Sequence, residues 1–299
     1  MSVALRVGAF VAALVAWSAL IGIPNDPVGI LIWGWLATVL MGVHHGFWTD
    51  WWPIVVALAG YWLVRGLIDD VTAALGLVVH VTEPIRFDRW LSRLFGGPDL
   101  TPTEQLQAAW CGDPCLKSGD PAWWDVALNT VYATHFYVAM VLGVVLWVRN
   151  KVSWRDWMNR YLTLLLVGLV GYLVYPTAPP WMALDAARIT SRGWNDLGLE
   201  RQNMVLIGMG NQVAAMPSLH TGIAALVAFW GISRMGTRLR WLLLAYPVLM
   251  GLALCYFAEH YVIDEIAGVA AAGAVMLGWR ISDRSRVRRR SWAGPGTPA

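Results

Sequence analysis

Charged residues are scarce in this chain of 299 residues, at only 14% of the sequence. An ordinary soluble domain carries roughly 25% charged residues. Hydrophobic residues make up 58% of the chain, and they cluster into runs long enough to cross a bilayer as helices. The shortage of charge therefore excludes an ordinary soluble globular protein and predicts a polytopic membrane protein.

Several common functional motifs are also missing from the sequence. It contains no Gly-rich nucleotide-binding loop, no paired-cysteine metal motif and no repeat of fixed period. A low-complexity stretch is absent as well, apart from the basic tail that ends in Gly and Pro. We therefore expect no cofactor, no bound metal and no nucleic-acid partner.

Cysteine is scarce, with three in the whole chain. Cys255 lies in an apolar run and is expected to pack inside the protein. Cys111 and Cys115 frame the segment "CGDPC", in which Gly-Asp-Pro would turn the chain tightly. A zinc site would require two more ligands nearby, and none is evident. A short-loop disulfide is the better interpretation if this segment faces an oxidising compartment.

The apolar runs predict an all-α bundle of about eight transmembrane helices, with ends uncertain by ~2–4 residues. The expected spans lie near 4–22, 28–44, 53–80, 127–148, 160–176, 217–233, 240–258 and 261–279. The first span resembles a signal peptide, because Arg6 precedes an apolar stretch. A cleavage site of small residues is not evident, so we interpret it as a retained anchor.

The distribution of Lys and Arg predicts how the bundle is oriented. Short cytoplasmic loops are rich in these residues. Basic residues concentrate in three segments that eight spans place on one side, at 149–160, 234–240 and 280–290. Both termini are then expected in the cytoplasm, while the long polar segments at about 81–126 and 177–216 lie outside. This orientation places "CGDPC" outside too.

The segment "MPSLH" introduces polar side chains at the outer end of the sixth predicted span. Pro217 suits the first turn of a helix, where its missing N–H is not needed. Ser218 and His220 follow within that turn. The free N–H groups and the positive dipole end of such a helix favour an anion.

A second polar group, "EHYVIDEIAG", opens the eighth predicted span at the same face. His260 and Asp264 are four residues apart, so they share one side of a helix. An Asp that accepts a hydrogen bond from one imidazole nitrogen fixes the tautomer and raises the basicity of the other nitrogen. Each histidine alone fits an interfacial residue, but the pair with Asp264 and Ser218 favours a catalytic site.

These motifs resemble a known family. "AAMPSLH" followed by "EHYVIDEIAG" is similar to the second and third motifs of the type 2 phosphatidic acid phosphatase superfamily. "YPTAPPWMA" resembles the Pro-Pro motif of its branch related to fungal inositol phosphorylceramide synthase, and "VTEPIRFDRWL" and "VYATHF" resemble that branch in actinobacteria. The resemblance covers about Tyr61 to Arg280. It implies a lipid phosphatase-like membrane domain with a six-helix core over 51–280, preceded by a helix pair over 1–50 and followed by a basic disordered tail over 281–299.

The resemblance also implies a role for each motif residue. His260 would attack phosphorus and form a phosphohistidine, with Asp264 as its orienting partner. His220 would protonate the leaving oxygen and then activate the acceptor, and Ser218 would hydrogen-bond a phosphoryl oxygen. Such chemistry divides a slow phosphoryl transfer into two steps. No metal is needed if cationic side chains and helix N–H groups neutralise the phosphoryl oxygens.

The sequence departs from the family in its basic residues. The Lys…Arg-Pro first motif of the phosphatase branch has no clear copy, and Glu259 precedes the third-motif histidine. Trp181 follows the two prolines, where the synthase-like branch often has Arg. The phosphate-binding cation is therefore unassigned. We favour Arg192 because it lies between two motifs; the alternatives are Arg65, Arg86 and Arg89.

His135 lies about two turns into the fourth predicted span, near the outer face. One interpretation is a buried histidine bonded to a neighbouring helix. The other is a substrate-binding role in the pocket, and we carry it as a candidate site residue.

Together these observations predict an integral membrane phosphoryl or head-group transferase in the plasma membrane of a bacterium. It would act at the outer leaflet on a phospholipid or polyprenyl phosphate, with an alcohol as acceptor. A lipid phosphate phosphatase of the same superfamily is the first alternative, and a non-catalytic lipid-binding or transport protein is the second. A vanadate haloperoxidase-like site carries little weight, because the soluble members of that kind lack eight spans. The oligomeric state is left open.

Overall fold

The computed structural model describes residues 3–22, 27–117, 120–190, 192 and 213–292. Over these residues the chain is helical, and its only β-type pairings are isolated bridges. The α-helices are α1 (Val3–Leu20), α2 (Pro27–Met41), α3 (Phe47–Ala74), α4 (Thr82–Leu94), α5 (Pro102–Trp110), α6 (Trp123–Arg149), α7 (Lys151–Val174), α8 (Pro180–Ala183), α9 (Leu219–Arg234), α10 (Ala245–Tyr256) and α11 (Val262–Trp292). A 3-10 helix, Arg238–Leu244, runs directly into α10. The predicted all-α class is confirmed.

Each predicted span has a corresponding helix. Within the described residues, four helices are long and apolar enough to cross a membrane, and two shorter apolar helices precede them. The four are Trp123–Arg149, Lys151–Val174, Arg238–Tyr256 and Val262–Ser285; the shorter two are Leu5–Leu20 and Gly29–Met41. The protein is a membrane-embedded helix bundle.

Two boundaries differ from the sequence-based expectation. Helix α3 ends at Ala74 rather than near residue 80, after which the chain turns and enters a short extended stretch. Helix α11 continues through Trp292, so the structure is helical over the first part of the predicted disordered tail. Residues 293–299 lie outside the described residues.

The bundle has a tightly packed interior and an apolar exterior. Trp51, Trp157 and Leu164 are fully buried. Leu63 and Val248 are large apolar residues that remain more than half exposed on the outside of long helices. Apolar side chains on the outer surface suit contact with lipid tails, which are as apolar as the side chains themselves.

Helices α9 and α11 pack backbone to backbone, which brings the two polar motifs together. A Cβ atom at Gly268 of α11 would lie 2.2 Å from the carbonyl oxygen of Ser218. A Cβ at Gly171 of α7 would lie 2.3 Å from Cδ of Pro217. Only glycine permits these approaches, because small residues let helix backbones come close.

Two further helices, α4 and α5, form in the polar segment that precedes α6. Together with the loop that joins them they are called the outer hairpin, residues 82–110, after the side of the membrane on which the sequence predicts them. Thr101 caps α5 through a capping box with Glu104, whose carboxylate accepts the Thr101 N–H at 2.7 Å. Just beyond α5, Cys111 and Cys115 form a disulfide, which was the preferred interpretation of "CGDPC".

Candidate active site

The two motif histidines lie in contact. His220 is the second residue of α9, and His260 lies in the turn between α10 and α11. Nδ1 of His220 is 3.2 Å from Nε2 of His260, which is hydrogen-bond distance. Residues that are 40 positions apart in the chain therefore form one site.

Asp264 lies behind His260, on the side away from His220. Its Oδ2 is 3.5 Å from Nδ1 of His260 and accepts a hydrogen bond from the Tyr261 N–H at 3.0 Å. Nδ1 of His260 and Oδ1 of Asp264 are both buried without a hydrogen-bond partner. The pair is thus aligned for an ion pair, with free hydrogen-bonding capacity on both partners.

The turn that carries His260 is built by the C-terminal end of α10. Ala258 adopts the left-handed conformation, with φ of 61°. The Glu259 N–H donates to the Leu254 carbonyl at 2.9 Å, and the Ala258 N–H donates to the Cys255 carbonyl at 3.1 Å. This pair of bonds is a Schellman motif, which ends a helix in a defined geometry. Glu259 and His260 therefore leave α10 in a fixed direction.

Ser218 is the N-cap of α9, and its side chain is completely buried. Its Oγ accepts the Thr221 N–H at 3.3 Å, and its own N–H donates to the Asp264 carbonyl at 2.9 Å. The expectation that Pro217 lies in the first turn of the helix is wrong, because α9 begins at Leu219. Ser218 thus connects the start of α9 to α11, while its predicted contact with a phosphoryl oxygen stays a prediction.

Aromatic side chains of α6 surround His220. The rings of His135 and His220 lie 4.0 Å apart between centroids, and the Tyr132 ring stacks on His220 at 5.3 Å. Nδ1 of His135 is buried without a hydrogen-bond partner. The structure therefore brings His135 together with the motif histidines, as expected for a residue of the same pocket.

Arg192, which we favoured as the phosphate-binding cation, is used elsewhere. Its guanidinium donates to Sγ of Cys111 at 2.9 Å and to the Leu116 carbonyl at 3.1 Å. It also lies 3.6 Å from Asp125 at the start of α6, and its side chain is 9% exposed. These contacts hold the disulfide loop against α6. The expected phosphate-binding role of Arg192 is therefore replaced by a structural role in this loop.

Arg188 is a cation close to His260 in space that the sequence-based reasoning did not consider. Its Nε and one terminal nitrogen donate to the two carboxylate oxygens of Glu259, at 2.6 and 3.2 Å. Its guanidinium also lies over the Trp181 ring, 4.8 Å from the centroid. Burial lowers the pKa of Arg188 and the Glu259 hydrogen bond raises it, with a net upward direction that keeps the group charged. Arg188 is therefore fixed next to the residue that precedes His260.

Arg65 of α3 provides a second positive charge in the region of the site. It interacts electrostatically with His135, His220 and Tyr132, and Arg188 interacts with the latter two. Of the other arginines considered, Arg89 pairs with Glu104 on the outer hairpin at 3.7 Å.

This arrangement combines two imidazoles, a carboxylate and positive charge. Two imidazoles face each other, a carboxylate lies behind one of them, and two arginines contribute positive charge to the same region. Among the described residues, no group of three or more His, Cys, Asp or Glu side chains is placed to hold a metal ion.

The fold and the site together define an all-α membrane helix bundle in which one motif histidine at the start of α9 meets the other in the turn before α11. The chain belongs to the PAP2 superfamily, whose family model matches residues 118–278. The resemblance that the two histidine motifs carry is therefore confirmed.

One curated relative supports the synthase-like branch. A protein named phosphoinositol dihydroceramide synthase, from Bacteroides thetaiotaomicron, is 30% identical over 178 residues. The match covers 52% of this chain and 55% of that protein, so the chain spans about half the length of its relative. No solved structure matches the chain.

Proposed function

We propose that this protein is a phosphotransferase that moves a phosphoryl or phospho-head group from a lipid to an alcohol through a phosphohistidine on His260. The observation that carries the proposal is the 3.2 Å contact between Nδ1 of His220 and Nε2 of His260, with Asp264 on the far side. In this arrangement Nε2 of His260 faces His220 and would attack phosphorus, while Nδ1 faces Asp264 and would carry the proton.

The proton arrangement follows from these contacts. With its proton on Nδ1, next to Asp264, His260 keeps the lone pair of Nε2 free. That lone pair accepts the Nδ1–H of His220. Attack on phosphorus uses the same lone pair, so an incoming phosphoryl group replaces the hydrogen bond between the two rings.

The reaction then has two balanced steps. In the first, the Nε2 lone pair forms an N–P bond, the P–O bond to the lipid breaks, and the leaving oxygen takes a proton from the protonated His220. In the second, His220 removes the proton of the acceptor hydroxyl, whose oxygen attacks phosphorus and returns the N–P electron pair to Nε2. A positioned acid–base group contributes roughly 10²–10⁴-fold to rate.

Arg188 is proposed as the phosphate-binding cation, in place of Arg192. A guanidinium binds phosphate oxygens in a bidentate fashion, and Arg188 already holds a carboxylate that way. Its side chain is 46% exposed and pairs with Glu259, which directly precedes His260 in the sequence. Phosphate competes with Glu259 for the same donors, and Arg65 adds positive charge in the same region.

Head-group transfer is preferred over hydrolysis because the relative is named a synthase and because the chain carries the Pro-Pro segment. The donor would then be a phospholipid with a phosphoinositol head group and the acceptor a ceramide-like alcohol. A lipid phosphatase remains the second candidate, since hydrolysis shares the first step and differs only in water being the acceptor. His135, which contacts His220, is placed to contact the acceptor.

The site is proposed to face the outside of a bacterial plasma membrane, with both termini cytoplasmic. Two features support this orientation. Counting helices along the chain places the disulfide at the same end of the bundle as the histidines, and disulfides persist in oxidising compartments. The basic loops fall at the opposite helix ends, as cytoplasmic loops do. Residues 51–280 would form the catalytic domain, with 1–50 as a peripheral helix pair.

A lipid panel with purified protein tests the proposal. Phosphatidic acid, phosphatidylinositol and a polyprenyl phosphate serve as donors, each with and without dihydroceramide, diacylglycerol or inositol as acceptor. A new phosphodiester product supports transfer, while release of free phosphate alone decides for the phosphatase. His260→Ala is expected to fall below ~1% of wild-type turnover because the nucleophile is lost; full turnover in that variant overturns the mechanism.

A further inference from the structure

The outer hairpin contacts both ends of the turn that carries His260. Helix α10 ends at Tyr256 and α11 begins at Val262, so the turn spans 257–261. A side chain of α5 binds the backbone just before this turn, and a side chain of α4 binds it just after. Neither of these two side chains lies in the motifs that carry His220 and His260, although the α4 residue lies in the segment "VTEPIRFDRWL".

Asp88 of α4 caps α11 from outside that helix. The first N–H groups of a helix have no partner within it. Tyr261 precedes Val262 at the N-cap position, where a Ser, Thr, Asp or Asn side chain normally accepts these groups. Here Oδ2 of Asp88 accepts the Val262 N–H at 3.0 Å and Oδ1 accepts the Ile263 N–H at 3.4 Å. The side chain of Asp88 therefore supplies the cap that the sequence of α11 lacks.

Gln107 of α5 makes the matching contacts on the other side of the turn. Its Nε2 donates to the Tyr256 carbonyl at 2.9 Å and to the Ala187 carbonyl at 2.7 Å, and its Oε1 accepts the Ala187 N–H at 3.0 Å. The Tyr256 carbonyl lies at the end of α10, and Ala187 directly precedes Arg188. One amide thus fixes the start of the His260 turn and the base of the proposed phosphate-binding arginine.

The burial pattern of α4 indicates that polar contacts, rather than apolar packing, hold this helix in place. The helix buries Pro84, Asp88 and Ser92, which lie at four-residue spacing on one face, and leaves Trp90 and Leu94 48% and 61% exposed. A helix held by apolar packing would instead bury Trp90 and Leu94 and expose Asp88 and Ser92. Burying an unpaired carboxylate costs several kcal/mol, so it persists where hydrogen bonds satisfy it.

We propose that Asp88 and Gln107 are positioning residues that hold the His260 turn from both sides and so set the attack geometry of Nε2. The inference rests on the proposed role of His260. It adds that the nucleophile's geometry depends on an outer hairpin that supplies no reacting group. Small displacements of a reacting group cost about 10²-fold in rate.

The test compares variants of these two residues with matched controls on the same hairpin. Asp88→Asn removes the charge at constant volume, and Gln107→Ala removes the clamp. Ser92→Ala and Gln105→Ala are the controls, because Ser92 and Gln105 bond to each other at 2.8 Å within the hairpin. Turnover is measured with the panel lipid that wild type uses fastest, together with the inhibition constant for vanadate, a mimic of pentacoordinate phosphorus.

Asp88→Asn and Gln107→Ala are expected to lower kcat about tenfold or more with KM within about twofold, and to weaken vanadate inhibition about tenfold. The vanadate constant separates positioning from partial unfolding, since it does not depend on the active fraction. The controls should match wild type. If both hairpin variants keep the wild-type kcat and vanadate inhibition constant while His260→Ala is inactive, the positioning role is overturned and the proposed function stands. Full turnover in His260→Ala overturns the proposed function instead.

Discussion

At the scale of single residues, the charge next to His260 is set by the Arg188–Glu259 pair. Glu259 is 10% exposed, and its carboxylate accepts two hydrogen bonds from that arginine. Arg188→Ala is expected to lower kcat/KM for a lipid phosphate by about 10–100-fold, mainly through KM. A hydrogen bond to a charged group is worth about 1.5–3 kcal/mol, which corresponds to that range. Steady-state kinetics with the purified variant measures the change.

Arg93→Ala is the control for this prediction. Arg93 is a similarly exposed arginine of the outer hairpin, paired with Asp99 at 3.0 Å, and it should leave the kinetics unchanged. Equal kcat/KM in Arg188→Ala and Arg93→Ala would show that Arg188 does not bind the phosphate.

Asp88 should give stability a specific pH dependence. Burial raises the pKa of Asp88 to about 7, the Val262 hydrogen bond opposes the rise, and the negative charge of Asp264 adds to it. The groups that interact electrostatically with Asp88 are Cys255 of α10, Tyr261 of the His260 turn, and Asp264 and Glu265 of α11. A raised carboxyl pKa stabilises the fold fully below the unfolded value, near 4, and this contribution is lost as pH rises through about 7.

The comparison with Asp88→Asn isolates this contribution, because asparagine does not titrate. The free energy of unfolding of wild type minus that of the variant should decrease by roughly 4 kcal/mol at most between pH 4 and pH 7.5. Thermal melts in detergent over that range measure it. A difference that is constant or increases with pH contradicts the assignment.

The residues proposed to react were predictable from sequence, whereas the proposed phosphate-binding cation was not. His220, His260 and Asp264 lie in two short motifs whose spacing already places them on helix starts. Several arginines occur in the outer segments, and sequence proximity favoured Arg192. The choice of Arg188 depends on how the chain after Trp181 folds back over that ring, which the local pattern does not encode.

At the scale of helices, the site depends on the close packing of α9 against α11. Gly268→Ala would place a Cβ 2.2 Å from the Ser218 carbonyl and force the two helices apart. Overpacking of this kind costs about 1–3 kcal/mol. Because His220 and His260 belong to the separated elements, turnover should fall by about 100-fold. Kinetics and thermal melts of the purified variant measure both effects.

Gly273→Ala on the same helix serves as the control, since a Cβ there meets nothing within 4 Å. It should keep wild-type turnover and melting temperature or raise the latter slightly. A Gly268→Ala protein as active as Gly273→Ala would show that the packing does not set the site.

Long apolar helices were predictable, and the short amphipathic ones were not. The spans follow from runs of apolar residues, so all eight have a helix in the structure. Helices α4 and α5 lie in a segment that the sequence marked only as polar and outside. Their stability comes from long-range partners such as Val262 and Tyr256, which are far away in the chain.

At the scale of the whole molecule, the orientation in the membrane is testable by cysteine accessibility. Asp99 lies in the loop of the outer hairpin and Gly236 in the loop before the 3-10 helix, and both are exposed. An impermeant maleimide applied to intact cells should label Asp99→Cys, while Gly236→Cys should react only after permeabilisation. The native cysteines are a disulfide and a buried thiol, which limits background. The reverse pattern would place the site in the cytoplasm.

The membrane class of the molecule followed from composition, because a chain with few charges and long apolar runs has few other stable forms. The three-dimensional arrangement did not. Glycine contacts such as that of Gly171 with Pro217 determine which helices become neighbours, and a single sequence gives no measure of them.

The most direct measurement of the central claim is the trapping of a covalent intermediate on His260. Purified protein is mixed with its donor lipid labelled with ³²P at phosphorus and quenched in alkali within milliseconds to seconds. Wild type should carry an alkali-stable, acid-labile label that maps to His260 and is absent from His260→Ala. A label that persists in His260→Ala, or wild-type turnover by that variant, would contradict the account.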